Sequence, residues 1–301
     1  MGYSNLKFAT NDLYQNYNAL QVSWIRHSGM YTIQTNYTWQ KAMGIISPNI
    51  EPFNLSSNYG ALPSNRGQLF NAAYSIDIGT RVHSNALVNG VANGWQLSGI
   101  TQLESGANLT YGGNGFGGNA INGNFNVSYV CTAGAGETCP QSAAIIPGSI
   151  STANPNGIAI NNQSILGTPD QELHPYLTCN PRSHTGAHQF INGNCFAAPT
   201  VVGQNGPTLF PALYGPAFFD SDLAVFKNFT IREGMKLQLR AQAYNFLNHP
   251  LYSFPAGGSN LNLTFAQDPV SQIITQTNAN FGVTTQKQGS RIMEFGAKFY
   301  F

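Results

Sequence analysis

Charge is what this sequence of 301 residues has least of. Lys and Arg number 13 and Asp and Glu 12, which is 8% of the chain against about 25% in an ordinary soluble domain. A surface that faces water stays dispersed by carrying charges of both signs, so the composition argues against a cytosolic enzyme. The net charge of +1 offers no electrostatic footprint for nucleic acid or for an anionic membrane surface. Long apolar runs are missing as well. A spanning helix needs about 20 consecutive apolar residues, and the run Ala143-Ala144-Ile145-Ile146 stops at Pro147. The opening Met1-Gly2-Tyr3-Ser4-Asn5-Leu6 has no basic region followed by an apolar one, so it shows no secretory signal. Leu6 also stands where a myristoylation site needs Ser or Thr. Aromatic residues and glycine are plentiful instead: 19 Phe, 14 Tyr and 32 Gly. A neutral, aromatic-rich chain without a helical span is either a membrane β-barrel or an extracellular β-rich protein.

Periodicity separates these two. In residues 31–40, Tyr31, Ile33, Thr35, Tyr37 and Trp39 alternate with Thr32, Gln34, Asn36, Thr38 and Gln40. Ten residues of period two match the length of a tilted membrane-spanning strand. In residues 235–244, Met235, Leu237, Leu239, Ala241 and Ala243 alternate with Lys236, Gln238, Arg240, Gln242 and Tyr244. The last nine residues set Met293, Phe295, Ala297, Phe299 and Phe301 against Glu294, Gly296, Lys298 and Tyr300. Weaker alternation marks 17–26, 68–78, 95–103 and 221–229, giving seven predicted strands. Their polar faces are mostly amide and hydroxyl, which suits a hydrated lumen, with the apolar faces against lipid. Trp24, Tyr31, Tyr37, Trp39, Trp95 and Phe301 read as interface anchors on that apolar side.

The connections alternate too. Short ones are expected at 27–29, 79–93 and 230–234, and long ones rich in Gly, Asn, Ser and Pro at 41–67, 104–218 and 248–289. Outer-membrane barrels have short periplasmic turns and long extracellular loops, so the C-terminus is expected on the periplasmic side. Seven is an odd number, and closed bacterial single-chain barrels have even ones. The expectation is therefore a C-terminal portion of a larger barrel, spanning 1–301. An eighth strand from 1–16 or from Phe281-Gly282-Val283-Thr284-Thr285 is the alternative, and would make a small closed barrel that acts as an adhesin or structural surface protein.

Several segments carry a resemblance. Tyr17-Asn18-Ala19-Leu20-Gln21-Val22, Asn93-Gly94-Trp95-Gln96-Leu97-Ser98-Gly99-Ile100, Phe226-Lys227-Asn228-Phe229, the run from Leu237 through Asn245-Phe246-Leu247-Asn248-His249-Pro250, and the end from Arg291 to Phe301 resemble the C-terminal barrel half of TonB-dependent outer-membrane receptors. The resemblance is to the Oar-like branch with a carboxypeptidase-regulatory-like domain, abundant in acidobacteria. It implies an all-β fold, an antiparallel transmembrane barrel of 22 strands, of which about seven are here. It also implies a plug and N-terminal domains outside this chain, through which alone the TonB complex would be met. The expected location is the bacterial outer membrane. The other expected partners are outer-membrane lipid and the barrel-assembly machinery, for which Met293, Phe295, Phe299, Tyr300 and Phe301 form the C-terminal signal. A chain of this kind is not transport-competent alone, and its ligand is not readable from the sequence.

The remaining candidates are weaker. Lys236, Arg240 and Lys298 fall on the predicted lumen faces, where they could meet an anionic solute or a plug. All four cysteines lie in 104–218, an extracellular position that suits disulfides; neighbouring pairs, Cys131–Cys139 and Cys179–Cys195, are the preferred connectivity among those the count allows. A metal cluster of His174, Cys179, His184, His188 and Cys195 lacks the tight Cys-x2-4-Cys pairs that zinc sites use. The glycine-rich run 111–118 lacks the Gly-Lys-Ser/Thr ending of a phosphate loop and reads as a mobile loop. Asp220 and Asp222 share a strand face without the two separate environments that an acid–base pair needs. No catalytic constellation, metal site or cofactor is expected.

Overall fold

The structure, a computed structural model, describes residues 11, 13–45, 54–62, 64–109, 122–126, 129–131, 145–147, 158–160, 174–199, 205–206, 213–255, 258–267 and 273–301. Seven long strands dominate it: β1 Gln15–Ser28, β2 Tyr31–Ile45, β3 Gln68–Asp77, β4 Trp95–Glu104, β5 Phe218–Arg232, β6 Met235–Tyr244 and β7 Ile292–Tyr300. They lie side by side in chain order, every neighbour antiparallel. This meander follows from the alternating segments, each one long enough to cross and turn back. Among the described residues the sheet is open: β1 pairs only with β2, and β7 only with β6.

The hairpins are tighter than the sequence suggests. His27 and Ser28 belong to β1, and the β1–β2 connection is the two-residue loop Gly29-Met30, with Gly29 at φ 55°. A two-residue hairpin needs a left-handed first or second residue, which glycine supplies without steric cost. Glu233-Gly234 makes the β5–β6 turn in the same way, Gly234 standing at φ 80°, and a register shift near Ile231 adds a bulge just before it. The third short connection is more than a turn. It contains the helix α1, Ala86–Ala92, whose N-cap Asn85 accepts a hydrogen bond from the Val88 N–H at 2.9 Å. All three connections, and Phe301, sit at one end of the sheet.

The long segments leave from the other end. Strand β2 runs five residues past Gln40, and Met43–Ile45 pair with the short strand Tyr59–Ala61. The β4–β5 ladder continues upward through the bridge of Asn108 with Tyr214 to the hydrogen bond from Leu109 N–H to the Leu213 carbonyl. There it meets a cap built from the described parts of 104–218 and 248–289. Short strand pairs run through it: Tyr176–Leu177 with Phe196–Ala197, Leu251–Ser253 with Gln286–Gln288, and Asn262–Gln267 between Ile274–Gln276 and Asn122–Asn126. Residues 281–285, considered above for an eighth strand, make no such element: Phe281 is buried in the cap, and Val283 forms one isolated bridge with Gln189.

The hydrophobic core of the molecule is in this cap. Leu109, Ile191, Phe196, Ala198, Leu213, Phe254, Leu261, Leu263, Phe265 and Phe281 bury one another. The long loops are, where described, a packed layer.

Candidate membrane face, lumen face and outer cap

The strand registers put every predicted apolar stripe on one side. Leu20 faces Trp39, Val22 faces Tyr37, Tyr37 faces Phe70, and Phe70 faces Leu103 across successive strands. Val225 faces Leu97 and Ala241, and Ala241 faces Phe295. Single-residue slips would flip these stripes to the opposite side, so the shared face is what fixes the pairing. Trp24, Tyr31, Trp39 and Trp95 stand exposed on it, as do Met293, Phe295, Phe299 and Phe301; Phe295 is 76% and Phe301 97% accessible. An exposed apolar surface that crosses seven strands is far beyond what a water-soluble monomer shows. At its centre Tyr74 lies over Gly99, where a Cβ would stand 2.4 Å from the Tyr74 hydroxyl. The glycine leaves room for the ring to lie flat along the sheet.

The other face is an amide and hydroxyl ladder. Ser23 donates to Asn36 at 2.8 Å, Tyr17 to Gln40 at 2.6 Å, Gln96 to Ser75 at 3.0 Å and Gln238 to Asn228 at 2.9 Å. Gln242 donates to Glu294, and the Ser75 and Ser98 hydroxyls are 3.0 Å apart. A hollow of about 400 Å³ opens here, lined by Thr32, Gln34, Ser75, Ser98, Asp222 and Gln242 among others. Lys236, Arg240 and Lys298 all lie on this face, on β6 and β7. Arg240 is folded over Gly296, and the Lys298 ammonium sits 4.8 Å from the Tyr300 ring centroid. Tyr300 therefore points away from the other four residues of the C-terminal signal.

Four cations share the apolar face, Arg232 at its end against Met235. Arg26 and Lys41 are near strand ends, whereas Lys227 is only 5% exposed. Its ammonium lies over the rings of Trp95 and Phe229 at 5.0 and 5.1 Å, and donates to the carbonyls of Val91, at 3.0 Å, and Asn93. A cation under aromatic rings and against the free carbonyls of a helix end is satisfied without water. The Trp95 indole N–H donates to the same Val91 carbonyl at 2.7 Å. Sequence reasoning missed this arrangement. Lys227 falls on the apolar phase of its strand, and only the register reveals the helix waiting to receive it.

At the end of the sheet opposite the short turns, Asn245 ties it to the cap. Its backbone is left-handed, at φ 45°, and its N–H donates to Asp222 at 2.9 Å. Its side chain donates to the carbonyls of Gly289 and His249 and accepts from the His249 N–H at 2.8 Å. Asp222 thus holds a backbone turn, while Asp220 accepts from the Ser221 N–H at 2.9 Å. In the cap, Cys179 and Cys195 are joined by a disulfide with a Cα–Cα distance of 4.9 Å. Both sulfurs are therefore engaged. His174 is buried, and His184 and His188 are at left-handed φ angles of 53° and 59°. Among the described residues no group of three His, Cys, Asp or Glu converges as a metal site would. Cys139 and the glycine-rich run 111–118 lie outside the described residues, as does the side chain of Cys131.

The geometry is therefore a sheet with one apolar and one hydrated face, with short turns at one end and a folded cap at the other. A family model described as an outer membrane beta barrel domain matches residues 1–294, which takes in six of the seven strands whole and the first residues of β7. No curated protein and no solved structure matches the chain. The chain belongs to the outer membrane beta barrel domain family, and its place is the bacterial outer membrane.

Proposed function

We propose that this chain supplies seven consecutive strands and the outer loops of a TonB-dependent receptor. The ligand is unidentified, and these residues do not transport it by themselves. The observation that carries the reading is that, among the described residues, both sheet edges, β1 and β7, are unpaired. A sheet edge in hydrocarbon leaves backbone N–H and C=O groups without partners, which lipid cannot supply. Further strands must therefore complete the wall, and the segments around Tyr17, Trp95, Lys227 and Asn245 resemble those receptors. On this reading the cap contributes to ligand capture. The hydrated face with Lys236, Arg240 and Lys298 lines the lumen against a plug, and coupling to the TonB complex runs through N-terminal sequence. The C-terminal run from Met293 to Phe301 addresses the chain to the barrel-assembly machinery. The reading assigns no enzymatic step and no cofactor.

The test is an immunoblot of outer membranes from the native organism with an antibody against the last strand. A band far above 32.4 kDa is expected. A band at that mass which shifts on heating would overturn the proposal, in favour of a small self-sufficient barrel displaying its cap as an adhesin or structural surface protein.

A further inference from the structure

The short connection between β3 and β4 has a feature that a periplasmic turn does not need. Helix α1 exposes Leu87 (83%), Val91 (70%) and Val88, which fall within one arc of the helix at i, i+1 and i+4. Its polar groups are turned inward. The Asn89 side chain exchanges hydrogen bonds with the backbone of Ser84, at 2.7 and 2.9 Å. Asn93 does the same with Arg81 and Val82. Seven residues are too few for a helix to be stable alone in water. This one is held by the Asn85 cap at its start, and by Trp95 and Lys227 on the carbonyls at its end.

Both holding side chains belong to the apolar face of the sheet, so α1 is fastened on the lipid side and not beneath the lumen. Between the helix and strands β5 to β7 lies an apolar depression of about 360 Å³, bordered by Val91, Trp95, Val225, Phe229, Leu239 and Phe295. It opens sideways along the exposed apolar face of the sheet. We propose that α1 is an in-plane anchor in the periplasmic leaflet, with Leu87, Val88 and Val91 among phospholipid acyl chains and an acyl chain occupying the depression. Continuity with the lipid-facing surface selects phospholipid as the occupant. An interfacial helix buries its apolar side about 5–10 Å into the headgroup and acyl boundary, the level at which Trp95 and Lys227 also sit. The proposal rests on the family's outer-membrane location and is independent of the receptor reading.

The test is photo-crosslinking in outer membranes whose phospholipids carry radioactive phosphate. Three variants of the full chain are compared: Leu87→benzoylphenylalanine, Asn89→benzoylphenylalanine and Phe295→benzoylphenylalanine. A phospholipid adduct is expected at positions 87 and 295, several-fold stronger than at 89. An adduct at 295 without one at 87, a protein adduct in place of lipid at 87, or equal labelling of 87 and 89 would each overturn the proposal. So would the absence of lipid at both 87 and 295.

Discussion

The sheet and the cap solve the same problem in opposite ways. The sheet leaves large side chains exposed on one face, Leu20, Trp39, Leu239 and Phe295 among them, and its opposite face carries mostly Ser, Asn and Gln with Ile25, Ile100 and Ile292 between them. The cap turns Leu263, Phe265 and Phe281 inward, with no accessible surface beyond 1%. One chain thus contains an inverted layer and an ordinary one. What differs is the solvent. Within the bilayer, burying a leucine gains nothing over leaving it against lipid tails, and the backbone ladder holds the strands. In the cap the apolar side chains come together, as water drives them to do. The same kind of substitution must therefore have different effects in the two places.

The largest contrast is expected from Phe265→Ala. Removing a fully buried ring costs about 3–5 kcal/mol, which is most of what a small cap layer can hold. Amide exchange of residues 258–267 should rise by orders of magnitude while exchange in β1–β7 stays as it was; equal loosening of the sheet would show that the two regions are not separate. Next is the disulfide. Cys179 and Cys195 are 16 residues apart in sequence, and closing a loop of that size stabilises by about 3 kcal/mol. Cys179→Ser with Cys195→Ser should leave outer-membrane insertion intact and speed protease cleavage within 180–194 on whole cells. Undiminished protease resistance would place the cap's stability wholly in its apolar core.

How much of this could be read beforehand divides along the same line. The seven strands and their faces were legible because a bilayer imposes ten-residue segments of strict alternation, as from Met235 to Tyr244. The side of the sheet on which Tyr37, Trp95 and Phe301 stand followed from the same phase. The cap was not legible, because its elements are two to six residues long and its core is assembled from remote segments. Leu261, Leu263 and Phe265 do alternate, but over a span too short to distinguish from a loop. Asn85 ahead of Ala-Leu-Val-Asn-Gly-Val-Ala was a usable helix signal that the expected short turn concealed. Lys227 carried no signal: a cation on an apolar phase makes sense only once Val91 and Asn93 are known to lie over it.

A paired substitution tests the inversion inside the sheet. Val22→Arg places a charge at the middle of β1 on the apolar face, where the cost near the bilayer midplane is about 2–4 kcal/mol. Gln242→Arg puts the same charge on the hydrated face and should change stability by well under 1 kcal/mol, close to the range of ordinary surface changes. Reversible denaturation of the chain in lipid vesicles measures both. Equal effects would mean that the faces are assigned the wrong way round or that neither meets lipid.

The most local effect is expected where the two regions join. Asn245 closes β6, and its hydrogen bonds reach Asp222 in β5, His249 at the start of the cap and Gly289 just before β7. Asn245→Ala removes the side-chain bonds and keeps a Cβ in the left-handed region, at a cost of about 1–3 kcal/mol in lost hydrogen bonding and roughly 1 kcal/mol more in backbone strain. Asn245→Gly removes the same bonds but adopts φ 45° freely, so the difference between the two variants isolates the backbone term. If the junction is only a local turn, both variants should loosen 245–250 and nothing else. If it couples the regions, Asn245→Gly should also raise exchange at Leu251–Ser253 and Gln286–Gln288, the pair of short strands that Asn245 fastens to the sheet from both ends. The second pattern is expected, because His249 and Gly289 flank those two strands and meet on a single side chain.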